Sequence, residues 1–368
     1  MARFTGDKTF QHGEAPGVGV LLVNLGSPDA PEPPSVRRFL REFLLDPRIV
    51  EIPRPIWWLI LNAFILPTRP RNVAEAYASI WTERGSPLTV YSEDLAAGVA
   101  AQLNARFGDR IAVELAMRYG QPSVASAMER LRSRNLRRLV VLPLYPQYAA
   151  ATSGSVFDAV AATLAEWRWV PELRFISDYF DAPAYISAVA ESIRRHRAEH
   201  GAGELLLFSF HGLPRSVCDD GDPYRCQCYA TARLVARELE LNDDEWEISF
   251  QSRFGKQEWL KPYADVRLEE LGKAGMKRVD MCCPGFAVDC LETLEEIAIR
   301  GQETFVEHGG EAVHYIPALN ADTAHAVALA GLVERAVKDF PELAAESPEA
   351  AGERAAARER ALALGAPD

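Results

Sequence analysis

Short apolar runs alternate along this chain with longer stretches of mixed apolar and polar residues. In the first half the runs are VGVLLVNL from Val18, IAVELAM from Ile111, LRRLVVLPLY up to Tyr145 and LRFISDY up to Tyr179. In the second half they are GELLLFSF up to Phe210, WEISF up to Phe250, KRVDMCC up to Cys283 and AVHYI up to Ile316. Nearly unbroken apolar runs separated by helical segments are typical of buried strands in a parallel sheet. The pattern therefore predicts an α/β fold made of two similar halves.

With 368 residues, the chain is long enough for two compact units and a cleft between them. The joint is predicted within Asp178 to Tyr185, where turn residues separate a strand from the next helix. We expect a flexible leader at 1–15, an N-terminal domain at 16–180, a C-terminal domain at 181–320, a closing helix at 321–340 and a tail at 341–368. The tail is rich in Ala, Glu and Arg, which predicts a solvated helix or a frayed end.

One segment departs from the alternating pattern. Ile56 to Leu66, IWWLILNAFIL, is almost entirely apolar but too short to span a bilayer, which takes about 20 residues. One interpretation is a buried helix. The other is an exposed apolar lip, spanning about residues 39–70, in which the adjacent Trp57 and Trp58 are solvent-accessible and face a membrane surface or a flat apolar ligand.

Composition narrows the class of protein. Apolar residues make up 48% and charged residues 25%, which is ordinary for a soluble globular protein. The formal net charge of −12 disfavours nucleic acid as a partner, because an acidic surface repels phosphates. The first fifteen residues are polar and show no secretory signal, so we expect a cytoplasmic protein.

Two segments of the second half carry residues suited to chemistry. His211 follows the strand GELLLFSF in the turn FHGLP, and ligands bind at the carboxyl ends of parallel strands. Glu292 follows the strand KRVDMCC, in CPGFAVDCLETLEEI. A histidine at such a turn is often purely structural, so its role depends on a partner such as Glu292.

Helix capping is the alternative explanation for the acidic segment. Asp289 and Glu292 have capping-box spacing. Capping does not explain Glu296, which lies four residues after Glu292 on the same helix face, where like charges repel. Arg300 is expected to relieve Glu296 and leave Glu292 in need of a cation or a proton. The two carboxylates therefore suit proton removal and delivery of a divalent cation.

Six motifs in this order resemble those of one enzyme family. They are LLVNLGSP (Leu21 to Pro28), RYGQP (Arg118 to Pro122), LYPQYAAATSGS (Leu144 to Ser155), FHGLP, FQSRFGKQEWLKPY (Phe250 to Tyr263) and CPGFAVDCLETLEEI (Cys283 to Ile297). Together, over about Val18 to Val337, they resemble the ferrochelatases. The resemblance implies two Rossmann-like (chelatase-like) domains, each a parallel sheet flanked by helices, with an active-site cleft between them.

The resemblance also implies a reaction and a site. The reaction is insertion of Fe²⁺ into protoporphyrin IX to form protohaem, and coproporphyrin III is the alternative porphyrin. His211 and Glu292 correspond to catalytic and metal-binding residues, and Glu296 to a further acidic residue of the proton or metal path. Which of the first two holds iron and which accepts the proton stays open. The implied porphyrin contacts, each with ordinary packing as the alternative, are Arg69, Tyr77, Arg118, Tyr145, Ser153, Trp259 and Phe286.

Cysteine usage raises the question of a cofactor. Six cysteines in a long cytosolic chain favour thiols or a metal site over disulfides. Some ferrochelatases carry a [2Fe–2S] cluster, but the animal ligand pattern is not reproduced, because Ala150 stands at its central position and the C-terminal tail has no cysteine. A cluster would need another ligand set, most simply Cys218, Cys226, Cys228 and Cys283 or Cys282. Free thiols are the alternative.

Three other functions compete with ferrous iron insertion. A non-catalytic tetrapyrrole-binding protein would not need Glu292 and Glu296. A cobalt chelatase would be expected to have metal-binding histidines in place of the lip. A nucleotide-dependent enzyme is disfavoured, because no GxGxxG loop follows the first strand and no nucleotide is expected. Peripheral membrane contact, at the inner face of the membrane, is expected through the lip, and the protein is expected to be a monomer or a homodimer.

Overall fold

The computed structural model describes residues 3–7, 10–255, 257–345 and 347–367. These residues form eight strands and fourteen α-helices. The strands are β1 (Gly17–Asn24), β2 (Ile111–Met117), β3 (Leu136–Pro143), β4 (Glu172–Phe175), β5 (Leu205–His211), β6 (Trp246–Gln251), β7 (Arg278–Cys282) and β8 (Ala312–Ile316). All eight coincide with the predicted apolar runs, although β4 ends at Phe175 and not at Tyr179.

Helices connect the strands. They are α1 (Pro33–Leu44), α2 (Arg54–Ile60), α3 (Leu66–Ile80), α4 (Pro87–Phe107), α5 (Val124–Arg132), α6 (Ser155–Leu164), α7 (Pro183–His200), α8 (Arg215–Asp219), α9 (Tyr224–Glu238), α10 (Ala264–Lys273), α11 (Leu291–Thr293), α12 (Gln302–Glu307), α13 (Thr323–Val337) and α14 (Pro348–Ala363). Three π-helical segments adjoin them, at Leu61–Ile65, Ala150–Gly154 and Leu294–Gly301.

The strands form two separate four-stranded sheets with the same topology. Their orders are β2-β1-β3-β4 and β6-β5-β7-β8, and every pair of neighbours is parallel. Parallel neighbours need crossover connections, which the helices supply. The predicted α/β class, with two parallel sheets flanked by helices, is confirmed.

The strands read as continuous apolar runs because each sheet is covered on both faces. One apolar core lies between the two sheets and includes residues of α4, α7, α9 and α13. A second core covers the outer face of the first sheet under α5 and α6, and a third covers the outer face of the second sheet under α10 and α12. The helix α13 packs against both α4 and α7, so the end of the chain returns to the first half.

The two chain ends also have contacts. Thr5 forms a bridge with Trp167, and the carbonyl of Gly13 accepts a hydrogen bond from Arg354 of α14. The tail does contain a helix, α14, and it has no buried residue among those described.

Candidate active site at the facing strand ends

His211 is the last residue of β5 and lies half-buried at the carboxyl edge of the second sheet. Its Nδ1 is 2.7 Å from the carbonyl oxygen of Gly212. Because a carbonyl can only accept, Nδ1 carries the hydrogen, and Nε2 of the neutral ring then carries the free lone pair. His211 therefore presents an atom that can accept a proton or bind a metal.

The turn after His211 is held by close packing. A Cβ atom on Gly212 would lie 2.8 Å from the carbonyl oxygen of Gln251 and 3.1 Å from the Trp259 ring, so only glycine fits. Trp259 is half-buried beside this turn, and its Nε1 donates to the carbonyl of Phe254 at 2.7 Å. Arg69 of α3 is exposed, with its guanidinium 5.0 Å from the Phe254 ring centre. Trp259 and Arg69 thus belong to one surface that joins the two halves.

The alternative explanation, a capping box between Asp289 and Glu292, is not what the structure shows. The N-cap residue is Cys290, whose side chain and backbone exchange hydrogen bonds with Thr293. Asp289 is buried one residue earlier, where it accepts hydrogen bonds from Thr293, Tyr315 and Asn320. The sequence spacing misled because Cys290, a weak hydrogen-bonding residue, takes the cap position. Helix capping therefore does not explain the presence of Glu292.

Glu292 lies half-buried in α11 and interacts with both halves of the molecule. Burial raises the pKa of Tyr77 well above its usual range, and the charges of Glu292 and Cys290 raise it further. The pKa of Tyr145 is also raised, first by burial and with smaller contributions that include Glu292. Both phenols therefore stay protonated. The helix α11 packs against α3, and Leu291 packs against the cluster that contains Tyr77, so the structure brings Tyr77 next to the segment that carries Glu292.

Glu296 lies in the π-helical segment Leu294–Gly301, and its carboxylate is held by the loop after β6. It accepts hydrogen bonds from the backbone N–H of Ser252 at 2.7 Å and from the Ser252 hydroxyl at 2.5 Å. The expected pairing of Glu296 with Arg300 is wrong. Arg300 Nε contacts both carboxylate oxygens of Glu295, at 2.8 and 2.9 Å, because the π-helical spacing brings residues five apart together.

Arg118 follows β2 and is held in a network of polar groups. Its Nη2 donates to Asp46 at 2.5 Å and its Nε donates to the Ser155 hydroxyl at 2.7 Å. Asp46 also accepts from the Tyr119 hydroxyl at 2.8 Å. The guanidinium is therefore oriented by the protein, with its side chain still 20% exposed.

The remaining predicted pocket residues differ in exposure. Ser153 is fully buried, and among the described atoms its hydroxyl has no hydrogen-bond partner. Phe286 is half-buried and packs against both the core between the sheets and the outer core of the second sheet. Apolar packing therefore contributes to the position of Phe286.

The apolar segment is divided between core and surface. Trp57 is only 4% exposed and donates from Nε1 to the carbonyl of Leu44 at 2.5 Å. Trp58 is 55% exposed, and its exposed apolar neighbours are Ile56, Leu59 and Phe64. The expectation that both indoles are accessible is therefore wrong for Trp57 and correct for Trp58. We call Ile56, Trp58, Leu59 and Phe64 the exposed lip.

The predicted cysteine ligands are divided between two cores: Cys218 packs against the core that contains Cys228 and Cys282, and Cys283 lies in the outer core of the second sheet. Within the described part of the chain, no group of three or more His, Cys, Asp or Glu side chains could hold a metal ion. Cys228 lies in the core between the sheets and Cys283 in the outer core of the second sheet, so they face opposite sides of that sheet. Cys226 is exposed. Burial raises the pKa of Cys218, Cys228 and Cys283, which favours the thiol over the thiolate.

Sequence reasoning missed Gln251 and Ser252. Both stand in the motif FQSRFGKQEWLKPY directly at the end of the strand WEISF, where a parallel sheet presents ligand-binding residues. Gln251 is the register partner of His211, and its Nε2 donates to the carbonyl of Glu292 at 2.6 Å. The position was available from the sequence, but the contacts required the structure.

The two-sheet α/β fold has a counterpart among solved structures. A solved structure, SirB from Bacillus subtilis with Fe³⁺, is similar with a TM-score of 0.53 over 88% of this chain and 98% of that one. At 12% identity this likeness concerns the fold alone. Among the described helices, none combines the length and apolar character needed to cross a membrane.

Sequence comparison gives the family. The ferrochelatase family model matches residues 17–337. The ferrochelatase of Thioalkalivibrio sulfidiphilus is 52% identical over 368 residues, covering all of both chains. The ferrochelatase of Methylococcus capsulatus is 58% identical over 323 residues, covering 88% of this chain and 98% of that one. The chain belongs to the ferrochelatase family, and its activity is insertion of iron into a porphyrin in haem biosynthesis.

Proposed function

We propose that the enzyme inserts Fe²⁺ into protoporphyrin IX between two walls, one carrying His211 and the other carrying Glu292. The observation that carries this proposal is the Gln251 contact, because Gln251 pairs in register with His211 and donates to the Glu292 carbonyl at 2.6 Å. A single residue therefore contacts the backbones of both His211 and Glu292. The competing interpretation of Glu292 as a capping residue loses its support, because Cys290 occupies the cap.

We assign the proton to His211 and the cation to the acidic wall. Metallation removes two pyrrole protons and requires a hydrated cation to lose its water. The Nε2 lone pair of His211 is free to accept a proton. Glu292 and Glu296 supply oxygen ligands on one helix, which suits the stepwise transfer of a divalent cation. Since no three-ligand group is preformed among the described residues, the porphyrin nitrogens complete the coordination of iron.

The walls of the pocket bind the macrocycle. Tyr77, Tyr145 and Trp259 offer apolar ring surface, and their positions around Glu292 and His211 suit contact with the faces of a flat ligand. Arg118, oriented by Asp46, and the exposed Arg69 suit the porphyrin carboxylates, since guanidinium groups bind carboxylates well. Aromatic contacts that favour a bent macrocycle would lower the barrier to metal entry.

The porphyrin itself is tested by an anaerobic insertion assay. Purified protein is mixed with Fe²⁺ and either protoporphyrin IX or coproporphyrin III, and the loss of free-porphyrin fluorescence is followed. We expect the higher kcat/KM with protoporphyrin IX. A clear preference for coproporphyrin III would overturn the choice of substrate but not the choice of reaction.

The assignment of proton and cation is tested by metal binding without porphyrin. Anaerobic titration with Fe²⁺ should give weaker binding for Glu292→Gln and unchanged binding for His211→Ala. The opposite pattern would exchange the two roles.

The exposed lip suits peripheral contact with the inner face of the cytoplasmic membrane. Its four apolar side chains are each more than half exposed, and apolar patches of this kind mark surfaces for partners or membranes.

The cysteines are proposed to be free thiols. The placement of Cys228 and Cys283 on opposite sides of a sheet supports this alternative over a [2Fe–2S] cluster. Anaerobically purified protein should be colourless before substrate is added. Visible absorption bands with stoichiometric iron and sulfide would establish a cluster instead.

A further inference from the structure

Ser252 has an unusual backbone for a residue with a side chain. It directly follows β6, and its φ of +63° lies in the left-handed region. Residues other than glycine rarely adopt this conformation unless the surrounding structure enforces it, and such positions concentrate at functional sites. The conformation lets one residue direct both its backbone N–H and its hydroxyl at the same acceptor.

That acceptor is the carboxylate of Glu296. The Ser252 N–H donates to one oxygen at 2.7 Å and the Ser252 hydroxyl donates to the other at 2.5 Å. Hydrogen bonds to an ionised group are stronger and more directional than neutral ones. Two of them from one residue fix the orientation of the carboxylate plane, which an unrestrained glutamate side chain would vary.

The preceding residue extends this connection to the other reactive groups. Gln251 is buried, and its Oε1 accepts from the Ser209 hydroxyl at 2.7 Å while its Nε2 donates to the Glu292 carbonyl. Two consecutive residues at the end of β6 therefore hold the backbone of Glu292 and the carboxylate of Glu296, and the first of them, Gln251, pairs with His211 in the sheet.

We infer that Ser252 is a positioning residue for the metal step, and that it acts by holding the Glu296 carboxylate in the orientation that passes Fe²⁺ toward Glu292. This inference rests on the proposed function, in which the acidic wall delivers the cation. Ser252 itself need not touch the metal or the porphyrin.

The test uses Ser252→Gly. Glycine relaxes the left-handed backbone and keeps the N–H donor, so only the hydroxyl bond is lost. We expect a melting temperature equal to or above that of the natural chain, a kcat/KM for Fe²⁺ lowered about tenfold, and a KM for protoporphyrin IX changed by less than about twofold. If the role of Ser252 were purely structural, Ser252→Gly would show normal Fe²⁺ kinetics, because glycine adopts the left-handed backbone without strain.

A matched control lies on the same strand. Ser249 is fully buried, and its hydroxyl donates to the Phe208 carbonyl at 3.3 Å without contacting Glu296. Ser249→Ala should lower the melting temperature and leave the kcat/KM for Fe²⁺ unchanged. Ser252→Ala, which keeps the strained backbone, should repeat the kinetic loss of Ser252→Gly.

A double-mutant cycle identifies the partner through which Ser252 acts. Adding Ser252→Gly to Glu296→Gln should cause little further loss, because the carboxylate that the hydroxyl holds is already gone. Additive losses, or normal Fe²⁺ kinetics in Ser252→Gly beside an impaired Glu296→Gln, would overturn the inference and leave the proposed function intact. Full activity in both Glu296→Gln and Glu292→Gln would instead remove the acidic wall from the proposed function.

Discussion

The two sheets have the same strand order, yet the charged residues at their carboxyl edges differ in whether they have a partner of opposite charge. In the first half, Arg118 is bound to Asp46 and Ser155, and its charge is matched by a buried carboxylate. In the second half, no compensating cation adjoins Glu292 in the described contacts, which bring its segment next to Tyr77 of α3. The same topology thus carries an ion-paired strand edge in the first half and a strand edge with an unpaired carboxylate in the second.

The first way to break this comparison is to disrupt the ion pair between Arg118 and Asp46 in the first half. Asp46→Ala leaves Arg118 and the Tyr119 hydroxyl without their acceptor in a buried setting. Removing one partner of a buried ion pair destabilises a protein by about 3–5 kcal/mol, and we expect a loss of that size in the free energy of unfolding from denaturant titration. Glu75→Ala is the control, because its pair with Arg71 is exposed and contributes at most about 1 kcal/mol. Equal losses in the two variants would contradict the prediction.

The same carboxylate gives a pH dependence. Burial alone would raise the pKa of Asp46, but hydrogen bonds from Ser155, Arg48 and Tyr119, with the charge of Arg118, lower it below its usual value. A group with a lowered folded-state pKa stabilises the fold above its unfolded pKa, here about 3.9, and loses that contribution as the pH falls through the folded value. Asp46→Ala should therefore lose less stability than the natural chain below about pH 4. Parallel loss in both chains would contradict this.

The next largest effect is expected at the strand edge of the second half, with His211→Ala. Loss of a positioned proton-transfer group lowers turnover by at least about 10²-fold, whereas porphyrin binding, measured by fluorescence quenching, should largely survive. His200→Ala, an exposed position on α7, is the control and should be fully active. Normal turnover in His211→Ala would remove the main support for the mechanism.

Glu292→Gln sharpens the comparison further. The substitution keeps the shape and removes the charge, and since Glu292 does not cap the helix, the melting temperature should be unchanged. The rate of iron insertion should fall by at least about tenfold. Removing only the hydrogen-bonding partner of a metal ligand already causes a loss of about that size. Glu295→Gln is the control. Glu295 is paired with Arg300, so this substitution should leave turnover unchanged. Full activity in Glu292→Gln would end its catalytic assignment.

The smallest effect on the free energy of unfolding is expected at the exposed lip. Trp58→Ser should change that free energy by less than about 0.5 kcal/mol and weaken association with phospholipid vesicles in a flotation assay. Trp57→Ser provides the contrast, because removing a buried indole should destabilise the fold by about 3–5 kcal/mol. Unchanged vesicle association in Trp58→Ser would argue against the membrane role of the lip.

Much of the fold was predictable because apolar runs report burial directly. All eight strands were expected from such runs, and His211 was located at a strand end from its position alone. The contacts of the acidic helix were harder to predict from the sequence, because capping and π-helical spacing depend on hydrogen bonds that compete locally. Cys290 took the cap expected of Asp289, and Arg300 reached Glu295 in place of Glu296.

Periodicity also could not separate Trp57 from Trp58, since a run that is apolar on all sides gives no signal for which face is covered. Exposure there is decided by contacts with distant segments, such as the Leu44 carbonyl that binds the Trp57 indole. The same limit applied to Ser252, whose role depends on a partner 44 residues away.

The return of α13 to the first half has a consequence for how the molecule unfolds. Its residues share one apolar core with both sheets, and it packs against α4 and α7 at once. Neither half can expose its inner face without opening the surface of the other. The two sheets should therefore melt in a single cooperative transition, and their strands should show similar hydrogen-exchange protection, even though each half resembles an independent unit by sequence.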